Sequence, residues 1–99
     1  MANYTLTNKA VEDLSKIWDY TFEKWSETQA DKYFFMLHDT FDDLANGTIS
    51  GKNYKEVSKE IYGFSVGKHV VFYRKQKDNK IEIARILHSR MDIKNRIKE

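Results

Sequence analysis

The sequence predicts an α+β fold: a short N-terminal strand, an antiparallel two-helix hairpin packed on a small, mainly antiparallel C-terminal sheet, and a short basic C-terminal helix or tail. Three observations predict it. Apolar residues recur at intervals of three and four through the first half, they alternate with period two between Phe64 and Leu87, and the glycine-bearing stretch GTISGKNYKEVSKE at positions 47–60 separates the two regions. Ninety-nine residues make a single domain, 1–99, with room for one core.

Tyr4-Thr5-Leu6 is the N-terminal strand candidate, and Thr7 is placed to cap the first helix. That helix has an apolar stripe of Val11, Leu14, Ile17, Trp18, Phe22 and Trp25, with Glu12 and Asp13 near its N-terminus, where the helix dipole favours acids. The aromatics Trp18, Tyr20, Phe22 and Trp25 cannot all face one side of a helix. Trp18 and Phe22 are expected to be buried and Tyr20 exposed. Ser26 opens the second helix, with Gln29 at capping-box spacing. Its stripe is Ala30, Tyr33, Phe34, Leu37, Phe41 and Leu44, and Asn46-Gly47 ends it. So tight a turn makes the two helices antiparallel neighbours.

Residues 47–60 read as a loop or irregular crossing. In the strand that follows, Val70 and Phe72 point to one side and Val71 and Tyr73 to the other. In the next, Ile81, Ile83 and Arg85 alternate with Glu82, Ala84 and Ile86. Lys77-Asp78-Asn79-Lys80 reads as the hairpin turn between these strands, and Gly67, free to take positive φ, as the turn before them. The product is a three-stranded meander, large enough to receive the hairpin's apolar face. The last stretch, Ser89 to Glu99, carries Met91, Ile93 and Ile97 among Arg90, Lys94, Arg96 and Lys98.

Composition narrows the function classes. Cysteine is absent, which excludes a disulfide framework and a thiolate metal site, and His38, His69 and His88 show no ligand spacing, so neither metal nor cofactor is expected. The opening MANYTLTNKAVEDL has no apolar run of signal-peptide length, and no stretch approaches the roughly 18 apolar residues of a membrane span, so a cytoplasmic protein is expected. Charge is segregated: four lysines against nine acids in residues 1–50 give −5, whereas thirteen cations against six acids in residues 51–99 give +7. A basic half of this kind suits nucleic acid, an acidic peptide, an acidic protein surface or plain solvation, and the field alone does not choose among them. There is no helix-turn-helix pattern and no concentrated Lys/Arg recognition helix, so sequence-specific DNA binding by this chain alone is not expected.

Several segments stand in a particular order: Ala10 to Leu14, Ile17-Trp18-Asp19-Tyr20, Trp25, Gln29-Ala30-Asp31, Tyr33, Gly51-Lys52, Val66-Gly67-Lys68-His69, Val71-Phe72-Tyr73-Arg74, and Ile83 through Asp92. Together they resemble the ParE toxins of bacterial type II toxin-antitoxin modules, which share a superfamily with RelE. The likeness runs nearly end to end, although residues 47–60 lack the proline and arginine that members commonly carry there. The resemblance implies a toxin, associated with plasmid stabilisation in bacteria. It would be held silent by a cognate ParD-like antitoxin and, once released, act on DNA gyrase to block replication. A homodimer or a toxin-antitoxin hetero-oligomer is expected on the same ground.

The residues supply candidate surfaces for those roles. Arg85, His88 and Arg90 at the end of the last strand, with Lys94 and Arg96 of the tail, are the candidate target contacts, since arginine holds a carboxylate or phosphate through two parallel hydrogen bonds. An ion pair between Arg85 and an acid of the helical hairpin is the alternative. An antitoxin segment is expected in the groove between hairpin and sheet, with Tyr20, Trp25, Tyr33, Phe72 and Arg74 as candidate contacts, because 14 aromatic residues exceed what one thin core hides. The rival function is a RelE-like ribosome-dependent mRNA endonuclease, for which His88, Arg90 and Arg74, helped by Lys68 and His69, would carry the chemistry.

Overall fold

The computed structural model describes residues 3–91 and 97. Both helices begin, and the second ends, where local chemistry supplies a cap. The Thr7 hydroxyl accepts the Ala10 N–H (3.0 Å) and donates to the Ala84 carbonyl (2.7 Å), so it both starts α1 (Asn8–Lys24) and ties that start to the sheet. Trp25 and Ser26 alone separate the helices, and Ser26 Oγ accepts the Gln29 N–H to open α2 (Glu27–Asn46). Gly47 closes α2 in the left-handed conformation, at φ 82°.

The sheet has five strands, β1 (Tyr4–Leu6), β2 (Lys52–Asn53), β3 (Tyr62–Val66), β4 (His69–Lys75) and β5 (Ile81–His88), in the order β1-β5-β4-β3-β2. The β3-β4-β5 meander is antiparallel, and β1 lies parallel to β5, with Tyr4 opposite Ile81 and Leu6 opposite Ile83. Gly67 makes the first turn at φ 54°, and Asp78 (φ 61°) and Asn79 (φ 59°) make the second, the side chains that best tolerate this conformation. Within 47–60, expected to be irregular, Lys52 and Asn53 pair with Gly63 and Tyr62 as an edge strand.

Two apolar clusters follow from strand alternation. Ala10, Leu14, Leu37, Phe41 and Leu44 of the hairpin pack on Val66, Val71, Tyr73, Ile81, Ile83 and Ile86 of the sheet. On the far face, Ile61, Val70, Phe72, Ala84 and Leu87 are covered by Tyr54, Val57 and Ile97. The simple alternation expected for β5 fails at a bulge. Phe72 faces Arg85 while Tyr73 faces Ile83, which leaves Ala84 as the extra residue. Ile86 therefore joins Ile81 and Ile83 on the helix side, rather than sitting opposite them with Ala84.

Phe22, expected to be buried, is 46% exposed. The apolar stripe of α1 is really two adjoining ridges. Ala10, Leu14 and Ile17 meet the sheet, whereas Val11, one residue and so about 100° from Ala10, begins an outer ridge through Trp18 and Phe22. Trp18 is partly buried, as expected in part, and Tyr20 is exposed as expected.

Candidate functional sites

The bulge in β5 creates a site the sequence showed only as an alternative. Its displaced backbone brings the Ile86 N–H to Asp13 Oδ2 (3.0 Å), and Arg85 grips the same carboxylate through Nε (2.8 Å to Oδ2) and Nη2 (3.1 Å to Oδ1). The two side chains are 13% and 9% exposed. Arg85 is thus committed to joining α1 to β5. Of the two readings of Arg85, this geometry favours the ion pair with the hairpin over a target contact. Nothing in the sequence singled out Asp13, because an acid near a helix N-terminus reads as ordinary dipole chemistry.

At the far end of the same strands, the register sets His69 directly opposite His88, their rings 5.4 Å apart and edge to face. Tyr33 reaches this pair from α2. Its hydroxyl donates to the Val66 carbonyl at 3.2 Å and lies 2.6 Å from His69 Nδ1, which on this assignment carries the proton between them. Burial pushes the His69 imidazole down to about 4; the neighbouring His88 adds to the fall and Asp13 opposes it. Burial likewise raises the Tyr33 phenol above its ordinary value, against a lowering hydrogen bond from the Lys68 backbone. Lys68 belongs to this end of the sheet through its carbonyl, which accepts the Ser89 N–H at 2.9 Å, and Arg90 stands one residue further, its N–H on His88 Nδ1 at 3.1 Å.

The third element of the nuclease set is elsewhere. Arg74 lies five residues along β4 from His69, roughly 17 Å at strand rise, where it pairs with Glu82 at 3.5 Å in a half-exposed cross-strand contact. His88 and Arg90 are brought together, and Arg74 is not. Among the described residues, no group of three or more His, Cys, Asp or Glu is placed to hold a metal ion. Lys94 and Arg96 fall outside the described residues.

The candidate antitoxin contacts divide similarly. Tyr20 stands on the surface of α1, Trp25 (75% exposed) just past its end, and Tyr33 is half-buried under Gly67. Phe72 is 0% exposed, sealed beneath Tyr54, so it has no surface to offer a partner. Period-two alternation told which face of β4 it occupies but not that a loop covers that face.

What the sequence reading missed is a groove of about 630 Å³ between the outer ridges of the two helices, lined by Leu6, Val11, Leu14, Ser15, Trp18, Asp19, Asp31, Phe34, Phe35 and His38. Trp18 stacks on Phe22 at 5.2 Å and donates its indole N–H to Asp31 Oδ1 at 3.0 Å, which fixes one wall. His38, held by Tyr4 at 2.9 Å and by the Phe34 ring at 4.6 Å, forms the floor near β1. Phe35 is 63% exposed on the rim. The run Phe34-Phe35-Met36 was the available signal, since three successive apolar residues on a helix cannot all reach one core.

Several known proteins are similar to this chain over most of its length. The sequence model described as the ParE toxin of type II toxin-antitoxin systems, parDE, matches residues 4–93. Toxin ParE1 of Mycobacterium tuberculosis and Toxin ParE1 of Caulobacter vibrioides are each 33% identical over 92 residues, covering 93% of this chain and 94% of the relative. Toxin ParE of Escherichia coli is 30% identical over 97 residues, covering 98% of this chain and 94% of the relative. A chain from the solved chromosomal ParDE TA system of P. aeruginosa shares the fold, with a TM-score of 0.73 at 20% identity, over 89% of this chain and 96% of that one.

Proposed function

Because this chain belongs to the ParE toxin family of type II toxin-antitoxin systems, we propose that a cognate ParD-like antitoxin silences it by direct binding, and that the released toxin inhibits DNA gyrase and blocks replication in the bacterial cytoplasm. It does so by docking, with no bond made or broken. No described helix is long and apolar enough to cross a membrane.

The observation that carries the antitoxin half is the hairpin groove. Val11, Trp18, Phe22 and Phe35 expose apolar surface on one side of the molecule although the core beside them is complete. Trp25 extends that surface toward the hairpin tip, whereas Tyr20 is exposed on the opposite side of α1. A groove between two helices suits the apolar stripe of a third, whose burial at roughly 25 cal/mol per Å² supplies the affinity.

The target half rests on the family and on the cationic end of the chain: Arg90 at the sheet's end with Lys94 and Arg96 following it. Docking is favoured over cleavage by two facts. Arg74 is held apart from His88 and Arg90, and the far face of the sheet is covered by Tyr54, Val57 and Ile97 instead of lying open to an RNA strand. The test is induced expression with and without the adjacent reading frame, followed by a gyrase supercoiling assay on the purified chain. Inhibited supercoiling, relieved by the neighbour's product, is the expected result. Prompt loss of translation with cut messages would overturn the reading in favour of the endonuclease.

A further inference from the structure

We infer that His88 is a positioning residue for Arg90: its imidazole, unlike a target-touching cation, sets how Arg90 is presented where β5 ends. The inference rests on the reading above that Arg90 meets the target.

Where β5 ends, three hydrogen bonds decide the path of the chain. The Ser89 N–H donates to the Lys68 carbonyl (2.9 Å), which anchors the exit to the β3-β4 turn. The Met91 N–H donates to the His88 carbonyl (2.9 Å), which closes a tight turn. Between them the Arg90 N–H donates to His88 Nδ1 (3.1 Å). That middle bond has the connectivity of an Asx turn, in which the side-chain atom three bonds from Cα accepts the N–H two residues on. Nδ1 of histidine occupies the same position along the side chain as Oδ1 of asparagine.

The ring is held for this role. His69 packs against it edge to face at 5.4 Å, and His69 is in turn pinned by the Tyr33 hydroxyl at 2.6 Å. A chain of contacts therefore runs from α2 through both imidazoles to the Arg90 amide. Accepting that bond places the His88 proton on Nε2, an assignment drawn from the heavy-atom geometry. Because the bond is exposed, losing it alters the presentation of Arg90 far more than the stability of the fold.

Four variants of the full chain test this: His88→Asn, His88→Ala, His88→Gln and Arg90→Ala. The Arg90 amide is followed by NMR hydrogen exchange, and gyrase inhibition by supercoiling. Alanine removes the acceptor, and glutamine moves it one bond too far. Both should unprotect the Arg90 amide and raise the toxin concentration needed for inhibition about fivefold, the range for one hydrogen bond, with the melting temperature within about 4 °C of the parent. Asparagine should restore the protection and most of the inhibition that alanine loses. If asparagine behaves as alanine does, or alanine leaves the Arg90 amide protected, the inference is wrong. Should Arg90→Ala inhibit as strongly as the parent, the target reading fails, while the exchange pattern still decides the role of His88.

Discussion

Replacing Asp13 by alanine isolates the contact that joins the hairpin to the sheet. The carboxylate accepts three hydrogen bonds at 2.8, 3.1 and 3.0 Å, two from Arg85 and one from the Ile86 amide. Removing it leaves a guanidinium that is only 13% exposed without this counter-charge, and strands an amide at the bulge. Breaking a buried pair by deleting one partner costs about 3–5 kcal/mol. A second route gives a similar figure: about 1.5–3 kcal/mol for a charge-assisted hydrogen bond plus about 1–3 kcal/mol for an unsatisfied buried amide. Against a total stability of roughly 5–15 kcal/mol, Asp13→Ala should lower the urea midpoint severely and the melting temperature by at least about 12 °C. The double variant Asp13→Leu, Arg85→Met removes both charges together. It should recover more than half of that loss, because neither charge of the Asp13–Arg85 pair is then left buried without the other. Circular dichroism during urea titration reads both values. A cost below about 1 kcal/mol for Asp13→Ala, or a double variant no better than the single one, would refute the reasoning.

Other outcomes follow from the same geometry. Gly63→Ala places a Cβ 2.6 Å from Tyr54 Cε1 and 3.1 Å from Phe72 Cε1, so it should cost about 1–3 kcal/mol by overpacking and loosen the loop over the far face, seen as faster amide exchange near Tyr54. His69 is held neutral by burial, its value down to about 4 in the folded chain against about 6.5 unfolded. The unfolded state therefore binds more protons in that window, and stability should fall as pH drops from about 6.5 to about 4. In His69→Gln, urea midpoints measured at both ends of the window should lose that part of the slope. Phe35→Asp adds a charge to the rim of the hairpin groove at a position 63% exposed. It should weaken antitoxin binding at least tenfold by calorimetry and leave the melting temperature nearly unchanged.

The parts of the fold legible in the sequence are those set by neighbours along the chain. Thr7, Ser26 and Gly47 cap because a side chain or a missing Cβ acts within three residues, and the turns at Gly67 and Asp78-Asn79 need only local positive φ. Alternation placed Val70 and Phe72 opposite Val71 and Tyr73 correctly. It failed beyond Ala84, since a bulge is a mismatch between two strands and neither strand encodes it alone. Phe22 misled for a related reason. The width of the apolar stripe on α1 was visible, but which part of it meets the sheet depends on how the helix is rotated against its neighbours.

The candidate sites divide along the same line. The sequence by itself determined that this protein is an α+β domain with an acidic helical half and a basic half ending in cations, and its ordered segments carried the likeness to ParE toxins. Only the tertiary structure decided that Arg85 belongs to Asp13, that Phe72 is sealed, that Arg74 stands apart from His88, and that Val11 and Phe35 share a groove. Composition and period state what each residue wants. A charge is satisfied and an apolar side chain hidden only by a particular partner, and those of Asp13 lie 72 and 73 positions away along the chain.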